Sequence, residues 1–336
     1  MANDYAMSAK ARSLYSQHLT MSQFESMMGM ADVPSLASYL KQETRYSVVL
    51  DGINEKSIHR DLLEQCIRHK SQQEFLSLIR YMKDSKVHFY EFYTRFRETE
   101  QIMYCLHSIQ AHVVHNVDLY IINLNKYLAF DVVDLAKATT YEDLLAVLEN
   151  TDYYKVLAPL LEEPADLVAC EQALKVHYND SVHNLVKQEP NAKEVSAIFL
   201  IHDELTTLAQ IYRMKRFFNA SPREIRARVH SKPYYISEKT LNDWIDNKNG
   251  REMLDALRES PYGKYTDFEG NQHIEYYMDV IRHQIMVHML RFSQNTNVVL
   301  YAYMYILKNE IDNIVQIIEG VRYQINADEI KKILII

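Results

Sequence analysis

Apolar positions in this chain step by three and four residues over long stretches. Leu307, Ile311, Ile314, Ile318 and Val321 form one stripe, with Lys308, Asp312 and Glu319 off it, the pattern of a helix that buries a single face. Similar stripes run through Ile102, Leu106 and Ile109, and through Leu205, Leu208 and Tyr212. Isolated helices are marginal in water, so each stripe predicts a packed neighbour. Helix starts are marked by SPREIRARV at 221–229 and NADEIKKIL at 326–334. In both, a polar N-cap is followed three residues later by glutamate, as in a capping box, and the first also has proline at the first helical position. Gly320 is expected to loosen or end the preceding helix before the capped final one. The opening residues already carry helical spacing through Leu14 and Leu19 and predict part of the fold rather than a cleaved signal.

The pattern repeats at roughly a third of the chain. DLLAVLENTDY at 143–153 recurs as EMLDALRESPY at 252–262, 109 residues later, and Thr44 and Tyr46 lie 107 residues before Thr151 and Tyr153. A second landmark is independent of the first: Glu98, Glu204 and Glu310 are spaced 106 and 106 apart, each with an aliphatic residue four positions on. Each copy reads as short helices around a Thr/Ser-x-Tyr landmark, then long helices ending in the glutamate-bearing one. Boundaries fall near 116–127 and 230–235, giving three helical repeat domains at 1–120, 121–230 and 231–336. A period above 100 disfavours a solenoid scaffold, whose units run to about 34–47 residues.

Composition narrows the class. Six glycines and seven prolines in 336 residues supply too few turns for a large β-protein, so the fold class is all-α. A net charge of −8 without a block of like charges disfavours nucleic acid. The longest apolar run, 298–307, is about half of the roughly 20 residues a membrane-spanning helix needs. Cys66, Cys105 and Cys170 are odd in number and far apart, without a CxxC pair, which points to a reducing cytoplasm.

Candidate chemistry is sparse. No Walker A, GxGxxG, HExxH, EF-hand or GxSxG pattern occurs, so no cofactor is expected. His202 and Asp203 form an adjacent pair like that of helical HD-domain phosphohydrolases, the alternative reading, but the repeat aligns them with Phe96 and Arg97 and with Lys308 and Asn309. His283 and His288, five apart, diverge around a helix. His112 and His115 share a face without a third ligand, so no metal site is assigned. The densest charge run is basic: Arg213, Lys215, Arg216, Arg223, Arg226, Arg228 and Lys232 against Glu224 alone. Such a run fits docking of an acidic partner surface. Twenty-five tyrosines suit both a helical core and a broad interface.

With these residues in view, the chain resembles the C-type adaptor of V/A-type ATPases, the family that includes the d-type adaptor of eukaryotic vacuolar ATPases. Its C-terminal pattern of Lys308, Glu310, Ile311, Asn313, Ile314, Gly320, Glu329, Ile330 and Leu334 is similar to the family's, as is the opening with Ala11, Arg12, Leu19 and Phe24. Val315 stands where the family usually has a basic residue. The resemblance implies three helical domains related by pseudo-threefold symmetry as a funnel. It also implies a non-catalytic adaptor, single in its complex, that joins the central D/F shaft to the membrane rotor ring and is peripheral at the cytoplasmic face. ATP-driven proton or sodium transport, or ATP synthesis, would pass through it.

Overall fold

A computed structural model describes residues 2–82, 88–113, 121–162, 165–189, 192–229, 233–266, 268 and 273–336. Those residues are largely helical, with no strand among them. The first boundary at 116–127 and the second at 230–235 fall partly outside the described residues, as do His115 and Lys232.

The helices follow the alternation read from the pattern. α1 (Ala2–Tyr15) leads into two short helices, α2 (Met21–Met28) and α3 (Val33–Glu43), then two long ones, α4 (Arg60–Ile79) and α5 (Glu91–Gln110). The second run has short α6 (Val132–Leu135), α7 (Tyr141–Leu148) and α8 (Asp152–Leu157), then long α9 (Leu167–Gln188) and α10 (Ala192–Phe218), closed by α11 (Pro222–Arg228). The third has short α12 (Glu238–Asn247) and α13 (Gly250–Glu259), long α14 (Ile274–Phe292) and α15 (Thr296–Arg322), and closing α16 (Ala327–Lys331).

Caps recur with the helices. Asp32, Thr140 and Asn249 cap α3, α7 and α13, their side chains accepting backbone N–H groups of the first turn; these oxygens satisfy donors that a helix start otherwise leaves unpaired. The three glutamate-bearing helices end alike as well. His112, Asn219 and Gln324 each take a left-handed conformation, at φ 53, 46 and 53, just past α5, α10 and α15. A left-handed residue turns the chain away from a helix end so that the last carbonyls find partners: Val113 N–H donates to Ser108 O, Ala220 N–H to Met214 O and Ile325 N–H to Gly320 O.

Three local expectations are corrected. Leu19 lies beyond α1, which stops at Tyr15, and its backbone N–H is held by Glu310. Gly320 neither loosens nor ends α15, which continues to Arg322. A Cβ there would collide with the Ile330 side chain, so the glycine lets α16 pack directly on α15. The α11 start is a full capping box, whereas at α16 the Asn326 side chain accepts from Asp328 N–H and the Glu329 carboxylate takes Lys332 instead.

Contacts divide the chain into two compact units. One comprises Met1–Ile67 and Lys193–Ile336, the other Arg68–Ala192. In the first, α15 is the hub, touching α1, α2, α3, α14 and α16. Its stripe from Leu307 to Val321 is buried throughout, as are Leu205, Leu208 and Tyr212 on α10. In the second, α5 packs on α6, α7 and α9, and its Ile102, Leu106 and Ile109 are buried.

Candidate functional site

The three glutamates singled out by spacing are buried carboxylates, exposed by only 3–5%, and each is the centre of the same construction. Glu98 on α5 accepts the Tyr153 hydroxyl at 2.8 Å and Ala129 N–H at 2.6 Å. Glu204 on α10 accepts the Tyr262 hydroxyl together with the N–H groups of Tyr234, Tyr235 and Ile236 at 2.7, 3.0 and 3.0 Å. Glu310 on α15 accepts the Tyr46 hydroxyl at 2.8 Å and Leu19 N–H at 2.7 Å. An unpaired buried carboxylate would be expensive, so these donors are what make burial tolerable.

The Thr/Ser-x-Tyr landmark supplies the tyrosine by a local mechanism. Thr44, Thr151 and Ser260 donate their hydroxyls back to Leu40 O, Leu148 O and Leu257 O, ending α3, α7 and α13. Such local hydroxyl bonds compete with helix continuation. The tyrosine two residues on is then turned inward: Tyr46, Tyr153 and Tyr262 are all buried. Burial and the neighbouring glutamate push the Tyr153 and Tyr262 hydroxyls up, so both stay protonated donors. The backbone donors come from the other end of the short-helix run. Leu19 precedes the N-cap of α2, Ala129 stands two residues before that of α6, and Ile236 precedes that of α12. Each glutamate therefore staples both the entry and the exit of a short-helix run to a long helix.

The staples differ in charge. Burial pushes Glu98 above the usual carboxylate range, only partly offset by Tyr153 and Ala129. At Glu310 burial also acts upward, but His18 Nδ1 at 3.0 Å, Arg45 Nε at 4.0 Å and Leu19 N–H together hold the carboxyl below its ordinary value.

The basic run is split by the fold into engaged and open groups. Lys215 is half-buried and donates to Ile245 O and Lys248 O at the end of α12, at 2.8 and 2.5 Å. Arg213 pairs with Glu275 and Arg226 with Asp246. Arg216, Arg223 and Arg228 are exposed, and no ion pair holds them among the described residues. Between them, at the end of α10, Phe217 and Phe218 are also exposed.

Among the described residues no group of three or more His, Cys, Asp or Glu could hold an ion. His202 and Asp203 are exposed on α10 beside the inward-facing Glu204. The three cysteines are buried, and burial pushes the Cys105 thiol up to about 11. No helix among the described residues is long and apolar enough to cross a membrane.

These features define an all-helical protein in which, among the described residues, one internal staple recurs at Glu98, Glu204 and Glu310. A family model described as ATP synthase (C/AC39) subunit matches residues 7–333, and the chain belongs to this family. No individual curated protein matches it significantly.

Proposed function

We propose that the chain is the non-catalytic central-stalk adaptor of a V/A-type rotary ATPase, coupling the D/F shaft to the membrane rotor ring. It acts at the cytoplasmic face as a single peripheral copy, and transmits rotation during ATP-driven proton or sodium transport or ATP synthesis. The family match over nearly the whole chain supports this reading. The observation that carries it is the staple built on Glu98, Glu204 and Glu310. A part that transmits torque must not yield internally, and satisfied polar networks in a close-packed helical core resist deformation. Three repeat domains at 1–120, 121–230 and 231–336, set about a pseudo-threefold axis as a funnel, belong to this proposal.

Docking of the shaft is assigned to the basic run, through Arg216, Arg223 and Arg228 with Arg213 and Arg226 beside them, while Lys215 holds α12 in place. Complementary charge would steer and orient an acidic partner. The test is affinity purification of the tagged protein from its native membranes in mild detergent. Recovery of the shaft, ring and ATPase-head proteins is expected; a protein that comes away alone from membranes still holding those components overturns the reading.

A further inference from the structure

Phe217 and Phe218 close α10 with their rings in water. They are 67% and 76% exposed, and no other two neighbouring Phe, Tyr or Trp residues among those described are both more than half exposed. Burying a phenylalanine is one of the larger apolar gains open to a folding chain, and this fold takes it at neither position.

The pair does not sit on a loose end. Lys215 ties the last turn of α10 to the Ile245 and Lys248 carbonyls, and Ala220 N–H returns to Met214 O past the left-handed Asn219. Arg216 lies so close to the start of α13 that a Cβ on Gly250 would collide with it. Phe217 also sets its edge against the buried Tyr212, the ring planes 87° apart. Groups fixed in this way lose little freedom on binding.

The open charges beside the pair are Arg216, Arg223 and Arg228. Glu224 does not offset them by pairing, because its carboxylate accepts the Ser221 N–H and hydroxyl, each at 2.8 Å. Lys215, the lysine of the run within the described residues, faces the α12 carbonyls. Exposed aromatic rings among open arginines match the composition of protein interfaces, where Arg and aromatic residues are enriched and Lys is depleted. A guanidinium also pairs with a carboxylate through two parallel bonds, whereas an anionic bilayer attracts lysine and arginine alike. The patch therefore fits an acidic protein surface better than a membrane.

We infer that Phe217 and Phe218 are the apolar anchors of the shaft contact, entering a socket on the D/F shaft whose rim carries carboxylates for Arg216, Arg223 and Arg228. This rests on the adaptor reading and its assignment of the basic run to the shaft, and adds where the affinity comes from. Rim charges steer and orient the encounter, while aromatic side chains desolvated at the centre hold the complex together.

The experiment measures association and dissociation of the full chain with the purified D/F shaft over a range of salt concentrations. Two variants test the anchors: Phe217→Ser with Phe218→Ser, and Phe218→Ser alone, which leaves the Phe217–Tyr212 contact in place. Each is expected to weaken binding by about tenfold or more through faster dissociation, with the association rate, its salt dependence and the Tm retained. Arg223→Glu with Arg228→Glu should instead slow association and flatten its salt dependence. If both phenylalanine variants bind as tightly as the parent while the arginine reversal weakens binding, the inference is overturned and the basic run remains the docking surface. A parent that does not bind the shaft, or binding that none of these variants alters, overturns that assignment together with the inference. Parent binding to vesicles of equimolar phosphatidylserine and phosphatidylcholine that the phenylalanine variants abolish, with shaft binding untouched, overturns it in favour of a membrane surface.

Discussion

Tyr46 donates its hydroxyl to Glu310 at 2.8 Å across 264 residues of chain. The first short-helix run is thereby joined to the last long helix, while Tyr153 reaches back only to Glu98 and Tyr262 to Glu204. Each staple thus joins the long helix of one sequence third to the short helices of the next, with the third closing on the first.

Removing the hydroxyls tests the staple directly. Tyr46→Phe, Tyr153→Phe and Tyr262→Phe each leave a buried carboxylate short of a donor, and each should cost about 1–3 kcal/mol. Urea denaturation of the three variants measures this. Glu204 retains three backbone donors, so Tyr262→Phe is expected to be the mildest, and an equal loss at all three would show that the backbone donors do not share the load.

Acid separates Glu310 from Glu98. Glu310 is held below its ordinary value of 4.5, so the folded state binds fewer protons than the unfolded chain there. Its contribution is present above 4.5 and is lost as pH falls through the lower folded value. Glu98 is raised, so its contribution is greatest below 4.5 and is lost as pH rises through the folded value. Urea titrations between about pH 3 and pH 7 should show the advantage of the parent over Glu310→Gln shrinking toward acid, and its advantage over Glu98→Gln growing.

Gly320 gives a prediction opposite to helix propensity. In an exposed helix, Gly→Ala gains up to about 1 kcal/mol. Here the added methyl meets Ile330, and overpacking typically costs about 1–3 kcal/mol. Gly320→Ala should lower Tm, and Ile330→Ala in the same chain should lessen that penalty. A Tm raised by Gly320→Ala alone would mean that α16 is not seated on α15.

Charge reversal distinguishes docking from support within the basic run. Arg223→Glu with Arg228→Glu should weaken association with the D/F shaft while barely moving Tm, since exposed substitutions usually stay within about 0.5 kcal/mol. Lys215→Met should do the reverse, losing about 1–3 kcal/mol through the unpaired Ile245 and Lys248 carbonyls with shaft binding intact. Unchanged binding in the double reversal discards this segment as the docking surface.

Periodicity alone determined the helices, because the burial of one helical face constrains every third or fourth residue locally. Leu307 to Val321 and the capping residue Ser221 are legible locally. Spacing also exposed Glu98, Glu204 and Glu310 and the Thr/Ser-x-Tyr landmarks as recurring positions. Only the tertiary structure decided that one meets the other, since a hydrogen bond between residues 264 apart leaves no local pattern. For the same reason Gly320 read as a helix terminator, when the collision that requires glycine comes from Ile330 on another helix. Lys215 read as one more cation in a basic run, and only the approach of the α12 carbonyls distinguishes it from Arg223 and Arg228. Helix formation is a short-range matter of face and cap, whereas the role of a polar side chain depends on what the fold brings within about 3 Å of it.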